Sequence, residues 1–513
     1  MFIDHLLASL WLAIICLPLI SAGCCYFLQR WRIASWLIGG GLVLSSLAWL
    51  EIVFVQSQGA GLSLFYITPL KASVLVLIQF IAFIVLRYAQ ANFSGDPDNQ
   101  RFLRWLMLTV FSVMVTVSSD HLLVFWLSWL GISLSLHQLL MFYPNRPRAV
   151  LAAHKKFILA RLAELLLALA FSLLYLAHGS LSISAILSHY PSADFGWQQQ
   201  CAAVLLAMVA LIKCAQLPLH GWLIQVVEAP TPVSSLLHAG VINMGGYLLI
   251  LFAPIFDQSW PAKWLVLVVA GLSTVLAALI MMTRVSVKVR LAWSTTAQMG
   301  LMLSECALGL YQLALLHLLA HSFYKAHAFL NSGDEVNIFL RRELTDIQLP
   351  SLKAWIMSIF TSVILVALIV IVVGGANHPL SPWLLVGMAI AQTLAFYFNE
   401  PTEGFMTNGL IKALLLLGGY TVASTASGFL VADIPFNYNV AADFWMGLLF
   451  LSLFSVYQTL QYHPSNPMAR RLFIALNAGL YLDEWVTSMT LKCWPLHLPR
   501  TKTPVGSLPT EAL

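Results

Sequence analysis

Apolar stretches alternate with short polar segments along almost the whole chain. Each stretch holds about 20 mainly apolar residues, the length that a helix needs to cross the hydrocarbon layer of a membrane. We therefore expect an all-α polytopic membrane protein with about fifteen transmembrane helices. The predicted spans lie near residues 6–27, 34–55, 68–87, 102–118, 122–142, 157–177, 200–217, 232–255, 264–283, 289–309, 311–332, 354–374, 382–398, 408–431 and 443–461.

Composition supports this class. The 513 residues are 60% hydrophobic and only 9% charged, whereas about a quarter of the residues in soluble domains are charged. Basic residues lie at helix ends rather than in patches, so membrane lipids and not nucleic acid are the expected surroundings. The 7 cysteines show no Cys-x-x-Cys spacing and are expected to be small core residues. With no nucleotide-binding motif either, no cofactor is predicted in this chain.

The distribution of Lys and Arg predicts the orientation. Most of the 26 Lys and Arg residues fall in loops on one side of the predicted bundle, and the long segment 178–199 on the other side has none. The positive-inside rule then places the N-terminus outside and the C-terminus inside. The first apolar run lacks a basic leader and is expected to be a true span.

The spans divide the chain into five regions. Residues 1–99 are N-terminal transmembrane helices, 100–256 and 257–400 are two central groups of spans, and 401–462 are C-terminal transmembrane helices. Residues 463–513 form a cytoplasmic tail. Its stretch 469–495 is amphipathic and aromatic-rich, which favours an interfacial helix or a surface that docks a partner.

The most informative stretch runs from Lys213 to Gly246. Lys213 lies in an apolar helix that Pro218 interrupts, and a Pro-Thr-Pro restart precedes His238 in the next apolar run. Charge and a broken helix at membrane depth are costly and mark ion pathways. Burial favours the neutral lysine, which can then take up and release a proton. The alternatives are a snorkelling lysine and a histidine that only makes a packing hydrogen bond.

Further ionisable groups lie on neighbouring spans. Arg161 and Glu164, at i,i+3, can pair on one helix face near Lys155, as part of the pathway or as a structural ion pair at the inner interface. His317, His321 and Lys325 recur every four residues and form one stripe. That stripe predicts a proton relay, with metal binding by the two histidines as an alternative.

Two more lysines are candidates. Lys288 opens the span 289–309 and is either part of the pathway or a basic anchor at the inner surface. Lys412 lies in an apolar run after Glu400 and Glu403, and these residues could serve a second half-channel.

The stretches KCAQLPLHGWLIQVVEAPTPVSSLLHAG, KVRLAWSTTAQMG and HLLAHSFYKAHAFLNSG resemble the antiporter-like subunits of respiratory complex I, subunit L type, and of Mrp cation/proton antiporters. The resemblance covers roughly residues 100–335. It implies two inverted five-helix antiporter-like repeats, each with a broken helix, and a polar axis along the membrane. The first repeat would cover residues 100–256, and the second, degenerate repeat would cover residues 257–400. By motif, it assigns to the ion pathway the residues Lys213, Lys288, His238, His317, His321, Lys325, Lys155, Arg161 and Glu164.

This sequence departs from the family pattern at two places. The family's Trp-Glu-Gly in the fifth span reads Trp129-Leu130-Gly131 here, so the glutamate that usually pairs with the lysine is missing. The region 354–380 also lacks the lysine and the acid that follow the second broken helix. Glu164 is a candidate substitute for the first loss, and the second half-channel is expected to be degenerate.

Chain length, these losses and the tail LNAGLYLDEWVTSMTLKCWP resemble the membrane subunit of DAB-type inorganic carbon accumulation complexes. That resemblance implies a bacterial inner-membrane heterodimer with a large cytoplasmic zinc subunit similar to carbonic anhydrase, which would hold the zinc. The expected function is H⁺ or Na⁺ translocation that drives CO₂ hydration to bicarbonate in the partner, with no independent enzyme chemistry in this chain. A complex I or Mrp pumping subunit and an inactive membrane anchor are the alternatives.

Overall fold

The computed structural model describes residues 2–26, 30–55, 60–62, 64–190, 195–334, 349–373, 379–399, 403–431 and 438–495. All fifteen predicted spans overlap a helix or a broken helix in this part of the chain. Twelve helices are long and apolar enough to cross a membrane by length and composition. The prediction of an all-α polytopic membrane protein is confirmed, while the count of about fifteen transmembrane helices and the orientation stay predictions.

The first half of the described chain contains twelve helices. They are α1 (Phe2–Gly23), α2 (Arg30–Phe54), α3 (Pro69–Asn92), α4 (Asn99–Ser118), α5 (Leu122–Leu140), α6 (Pro147–His178), α7 (Ile183–Leu187), α8 (Trp197–Lys213), α9 (Gly221–Gln225), α10 (Thr231–Ala239), α11 (Met244–Leu251) and α12 (Ala253–Phe256).

The remaining helices are α13 (Trp260–Met282), α14 (Val287–Ala307), α15 (Tyr311–Leu330), α16 (Leu352–Val373), α17 (Ser381–Asn399), α18 (Glu403–Gly428), α19 (Val440–Tyr462), α20 (Pro467–Asn477) and α21 (Glu484–Cys493). Short 3₁₀ turns occupy Cys24–Tyr26, Val226–Glu228, Val241–Asn243, Ser332–Asp334 and Gly479–Tyr481.

A small cap covers one end of the bundle. Strands β1 (Ala60–Leu62) and β2 (Phe65–Ile67) form an antiparallel hairpin. Beside it, the carboxylate of Asp120 accepts hydrogen bonds from the hydroxyls of Ser182 and Ser184 and from the Ser184 backbone N–H. These bonds tie the loop before α7 to the start of α5.

Two packing units explain where the site lies. One large apolar core runs from α1 to α15 and includes parts of α19 and the tail. A second, small cluster joins α17 and α18 through Ile390, Leu394, Ala413 and Leu417. Side chains of α16 and α18 point mostly outward, as expected for helices that face lipid. Buried ionisable groups therefore collect in the large core.

Candidate ion pathway

The helix break after Lys213 is enclosed in protein. Helix α8 ends at Lys213, and the chain crosses the core as a turn before α9. The Gln216 side-chain amide donates to the carbonyl of Cys214 at 2.8 Å, and Ser273 Oγ accepts from Leu217 N at 3.0 Å. Because these partners replace lost helical bonds, irregular backbone is tolerated at membrane depth.

Lys213 lies among three polar or aromatic groups from two other helices. Its Nζ donates to Ser133 Oγ at 3.1 Å and to Glu164 Oε1 at 3.4 Å, and it lies 5.5 Å from the centre of the Trp129 ring. The other oxygen of Glu164 is 2.8 Å from Arg161 Nη2. The predicted Arg161–Glu164 pair is thus present, and it shares its carboxylate with Lys213.

A cavity of about 30 Å³ opens beside Lys213, lined also by Ser133, Trp129 and Trp222. Because a water molecule needs about 10–15 Å³, this space holds about two waters. Lys156 lines the same cavity and donates to the carbonyl of Ser133 at 2.7 Å. Sequence reasoning missed Lys156, because the residue lies just before the predicted span 157–177, whereas α6 begins at Pro147 and carries this lysine into the core.

Lys155 points elsewhere. Its Nζ is 2.7 Å from Asp483 Oδ2 and 2.6 Å from Thr487 Oγ1, both in the tail. Asp483 also accepts from Gln225, in α9, at 3.2 Å. The structure therefore does not bring Lys155 to Lys213. Instead, Lys155 and Asp483 join the tail to the broken helix, and a pathway role for Lys155 stays a prediction.

The tail packs against the membrane domain. His154 stacks on Trp494 with ring centres 3.9 Å apart, and Arg284 donates to the carbonyl of Leu476 at 3.4 Å. The opposite face of the tail remains exposed and carries Met468, Phe473, Ile474, Tyr481 and Trp485. The amphipathic pattern predicted from sequence is therefore present, with one face used within the chain.

His238 lies on α10, the helix that restarts after the break, and Lys288 contacts the first turn of the same helix. His238 Nδ1 lies 3.0 Å from Thr295 Oγ1, and the imidazole stacks on Phe329 with ring centres 4.3 Å apart. Its Nε2 has no protein partner among the described residues. Lys288 Nζ donates to Thr231 Oγ1 at 2.9 Å, in the first turn of α10. Lys288 thus lies at the N-terminal end of α10, and Lys213 is not among its hydrogen-bond partners.

The predicted stripe on α15 faces the core. Lys325 Nζ donates to the carbonyl of Leu291 at 3.1 Å. His321 is buried, and within the described ranges neither ring nitrogen has a protein partner. The His317 and His321 rings are 6.3 Å apart. Titratable groups therefore follow one another along α15 from its C-terminal half towards its N-terminal half.

Glu305 completes this line and was missed by sequence reasoning. It lies in the last turns of α14, and its Oε2 is 3.1 Å from His317 Nδ1. A single acid in the apolar stretch LMLSECALGL was the signal that could have revealed it, since an acid inside a span marks function by default.

The C-terminal part of the chain contributes fewer candidate pathway residues among those that the structure describes. Helix α16 is continuous from Leu352 to Val373, so these residues contain no counterpart of the break after Lys213. Lys412 is exposed and donates to Tyr397 Oη, apart from the line on α15. Glu400 lies outside the described residues, as does the side chain of Glu403.

Metal binding by the histidines was the alternative for α15. Among the residues that the structure describes, no group of three or more His, Cys, Asp or Glu side chains is arranged to hold a metal ion. The geometry of α14 and α15 pairs a histidine with a carboxylate instead.

Fold and site together define a polytopic membrane protein with a line of buried ionisable groups beside a broken helix, the arrangement of a cation-translocating antiporter-like subunit. The chain belongs to the NADH:quinone oxidoreductase/Mrp antiporter transmembrane family, whose model matches residues 119–394.

Individual relatives agree with the family. A probable inorganic carbon transporter subunit DabB from Hydrogenovibrio crunogenus is 46% identical over 494 residues, covering 94% of each chain. A probable subunit DabB2 from Halothiobacillus neapolitanus is 34% identical, covering 83% of this chain and 79% of the relative. NADH-quinone oxidoreductase subunit L from Mycobacterium tuberculosis is 31% identical over 55% of this chain and 45% of its own length.

Among solved structures, a chain of the Mrp complex from Dietzia sp. DQ12-45-1b superimposes with a TM-score of 0.61 and 20% identity, covering 95% of this chain and 60% of that chain. At that identity the likeness shows the fold alone. The resemblance to complex I, Mrp and DAB-type subunits is thereby confirmed.

Proposed function

We propose that this chain is the proton-translocating membrane subunit of a two-component inorganic carbon transport complex in a bacterial inner membrane. A cytoplasmic zinc subunit similar to carbonic anhydrase would form bicarbonate, and proton flux through this chain would make that step directional. The observation that carries the proposal is the group formed by Lys213, Glu164 and Arg161 at the helix break. The similarity to DabB over 94% of each chain is the reason for proposing inorganic carbon as the transported substrate.

In this proposal, Lys213 accepts a proton from water in the neighbouring cavity and releases it towards the groups on α10 and α15. Glu164 places a carboxylate oxygen beside the charged lysine, and Arg161 binds the other oxygen and so holds the carboxylate in position. Glu164 thereby replaces the glutamate that the family carries at the position of Leu130. Breaking such a buried pair on one side costs about 3–5 kcal/mol, because a charge is left without a partner.

The tail would meet the partner. Its inner face is held by Lys155 and its outer face exposes aromatic side chains, so a protein seated there would lie next to α9 and the break. Such a position would let partner binding and ion movement influence each other.

The test is bicarbonate accumulation in a carbonic-anhydrase-deficient cell that expresses this chain with and without the product of its neighbouring gene. Uptake should require both proteins and collapse when an uncoupler is added. Uptake that persists with the uncoupler would contradict ion coupling. Absence of uptake, together with co-purification of respiratory or multi-subunit antiporter proteins, would favour a complex I-like or Mrp-like role instead.

A further inference from the structure

Glu305 and His317 form a buried pair that the proposed function does not yet use. The two oxygens of Glu305 lie 3.3 and 3.1 Å from His317 Nδ1. Both side chains are largely buried, at 9% and 15% exposure. An imidazole within hydrogen-bond distance of a carboxylate can exchange a proton with it, because both are established proton-transfer groups and the hydrogen bond joins the donor atom to the acceptor atom.

A cavity of about 60 Å³ adjoins Glu305. It has room for several waters at about 10–15 Å³ each. Three polar side chains and the carboxylate give those waters hydrogen-bond partners, which an apolar void would lack. The cavity is lined by Glu305, Ser304, Ser381, Tyr420, Met446 and Phe450, with further apolar residues.

The position of this cavity along the membrane follows from the chain direction. Ser381 begins α17, Met446 lies in the second turn of α19, and Glu305 lies near the end of α14. In the predicted orientation all three are outer ends of their helices. The cavity therefore occupies the outer part of the bundle, whereas Lys325 and its partner Leu291 lie near the inner ends of α15 and α14.

A line of titratable groups leads from this cavity into the core. Glu305 contacts His317, and the His321 ring centre lies 6.3 Å from that of His317. Lys325 follows His321 by one turn on the same face of α15. We propose that Glu305 is the outer proton-exchange group of this protein. It takes a proton from cavity water at its carboxylate oxygen and passes it to Nδ1 of His317, or the reverse. This inference rests on the proposed proton translocation and assigns its outer gate to α14 rather than to a second broken helix.

Proton flux in proteoliposomes tests the assignment. The chain is purified with its partner subunit, and an internal pH-sensitive dye reports flux under an imposed potassium diffusion potential. The variants are Glu305→Gln, His317→Gln and the double variant, with Lys213→Ala as the inactive reference. Glu51→Gln is the matched control, because it makes the same change of charge in α2, a helix in contact with α1 and α3.

We expect Glu305→Gln to lower flux about 100-fold or more, the usual contribution of a positioned proton-transfer group. The double variant should be equally inactive although it contains no unpaired buried charge. Recovery of flux in the double variant would overturn the proposal, because it would show that only charge balance matters at this pair.

Folding and the two proposals remain separable. Size-exclusion elution and thermal unfolding of each variant identify a misfolded protein, and the double variant is the fallback if Glu305→Gln does not assemble. Near-normal flux in Glu305→Gln together with loss in Lys213→Ala would overturn the outer gate and leave the proposed function standing. If flux were retained in both Glu305→Gln and Lys213→Ala, or if the unmodified complex showed no flux, both the outer gate and the proposed function would be overturned.

Discussion

The segment Thr231–Leu251 and the helix Leu352–Ile371 are both apolar enough to span a membrane. In the most apolar stretch of each, 89% of the residues are buried within the protein in the first and 17% in the second. The first follows a broken helix and contains His238. The second is continuous and carries only lipid-compatible side chains in its interior. A membrane helix can contain a break and charged groups only where other parts of the protein supply hydrogen-bond partners for them. Burial inside the protein therefore distinguishes the region of the candidate ion pathway from the lipid-facing region.

The same contrast holds for the lysines. Lys213 is held between Ser133 and Glu164, whereas Lys412 is exposed and bonded to Tyr397. Both looked alike in the sequence, as single lysines in apolar runs. Position in the bundle, and not residue type, distinguishes a group that can exchange protons with cavity water from one at the protein's edge.

The largest effect is expected at Lys213. Lys213→Ala should reduce uncoupler-sensitive bicarbonate uptake to background, because the central proton acceptor is gone. Lys213→Arg should be inactive as well, since a guanidinium does not release its proton. Lys353→Ala, on the exposed surface of α16, is the matched control and should retain uptake. Activity of Lys213→Arg close to wild type would show that charge, and not proton release, is what this position supplies.

A large effect is also expected at Glu164. Glu164→Gln leaves Arg161 and Lys213 without their shared carboxylate, and we expect flux to fall at least about tenfold, as when a buried charge loses its partner. Leu130 lies three residues before Ser133 on α5, so an acidic side chain there would start within one helical turn of a group that contacts Lys213.

Adding Leu130→Glu to Glu164→Gln should therefore restore part of the flux. A double variant as inactive as Glu164→Gln would show that a carboxylate on α5 cannot reach Lys213 in this protein.

An intermediate effect is expected at the tail. Asp483→Asn removes the partner of buried Lys155, and we expect the thermal midpoint of the purified complex to fall by several degrees, about the shift that 1–2 kcal/mol produces in a protein of moderate size. Glu484→Gln is the matched control, because Glu484 is the exposed neighbour. Equal midpoints for the two variants would mean that the Lys155–Asp483 pair adds nothing to stability.

The smallest effect is expected at Lys412. Lys412→Ala should leave flux within about twofold of wild type, since an exposed polar contact contributes little. Tyr397→Phe, which removes the hydroxyl acceptor, should behave in the same way. A loss of flux as large as that of Lys213→Ala would show that Lys412 belongs to a functional second half-channel, and the contrast between the two halves would then be wrong.

Much of this protein could be predicted from the sequence. Apolar length predicted a polytopic helical membrane protein, and the interrupting proline predicted the break after Lys213, because the cost of exposing polar backbone to lipid permits few other structures. Spacing alone predicted the Arg161–Glu164 pair and the stripe on α15, since helical periodicity determines which residues share a face. Family motifs supplied the rest of the candidate pathway.

Only the tertiary structure shows which ionisable side chains contact each other. The contact of Glu164 with Lys213, of Glu305 with His317 and of Lys155 with Asp483 joins residues on different helices. Such contacts depend on helix rotation and depth, which side-chain packing over the whole bundle sets. The apolar runs determine which segments can form membrane-spanning helices, whereas only the packing of those helices determines which buried charges meet.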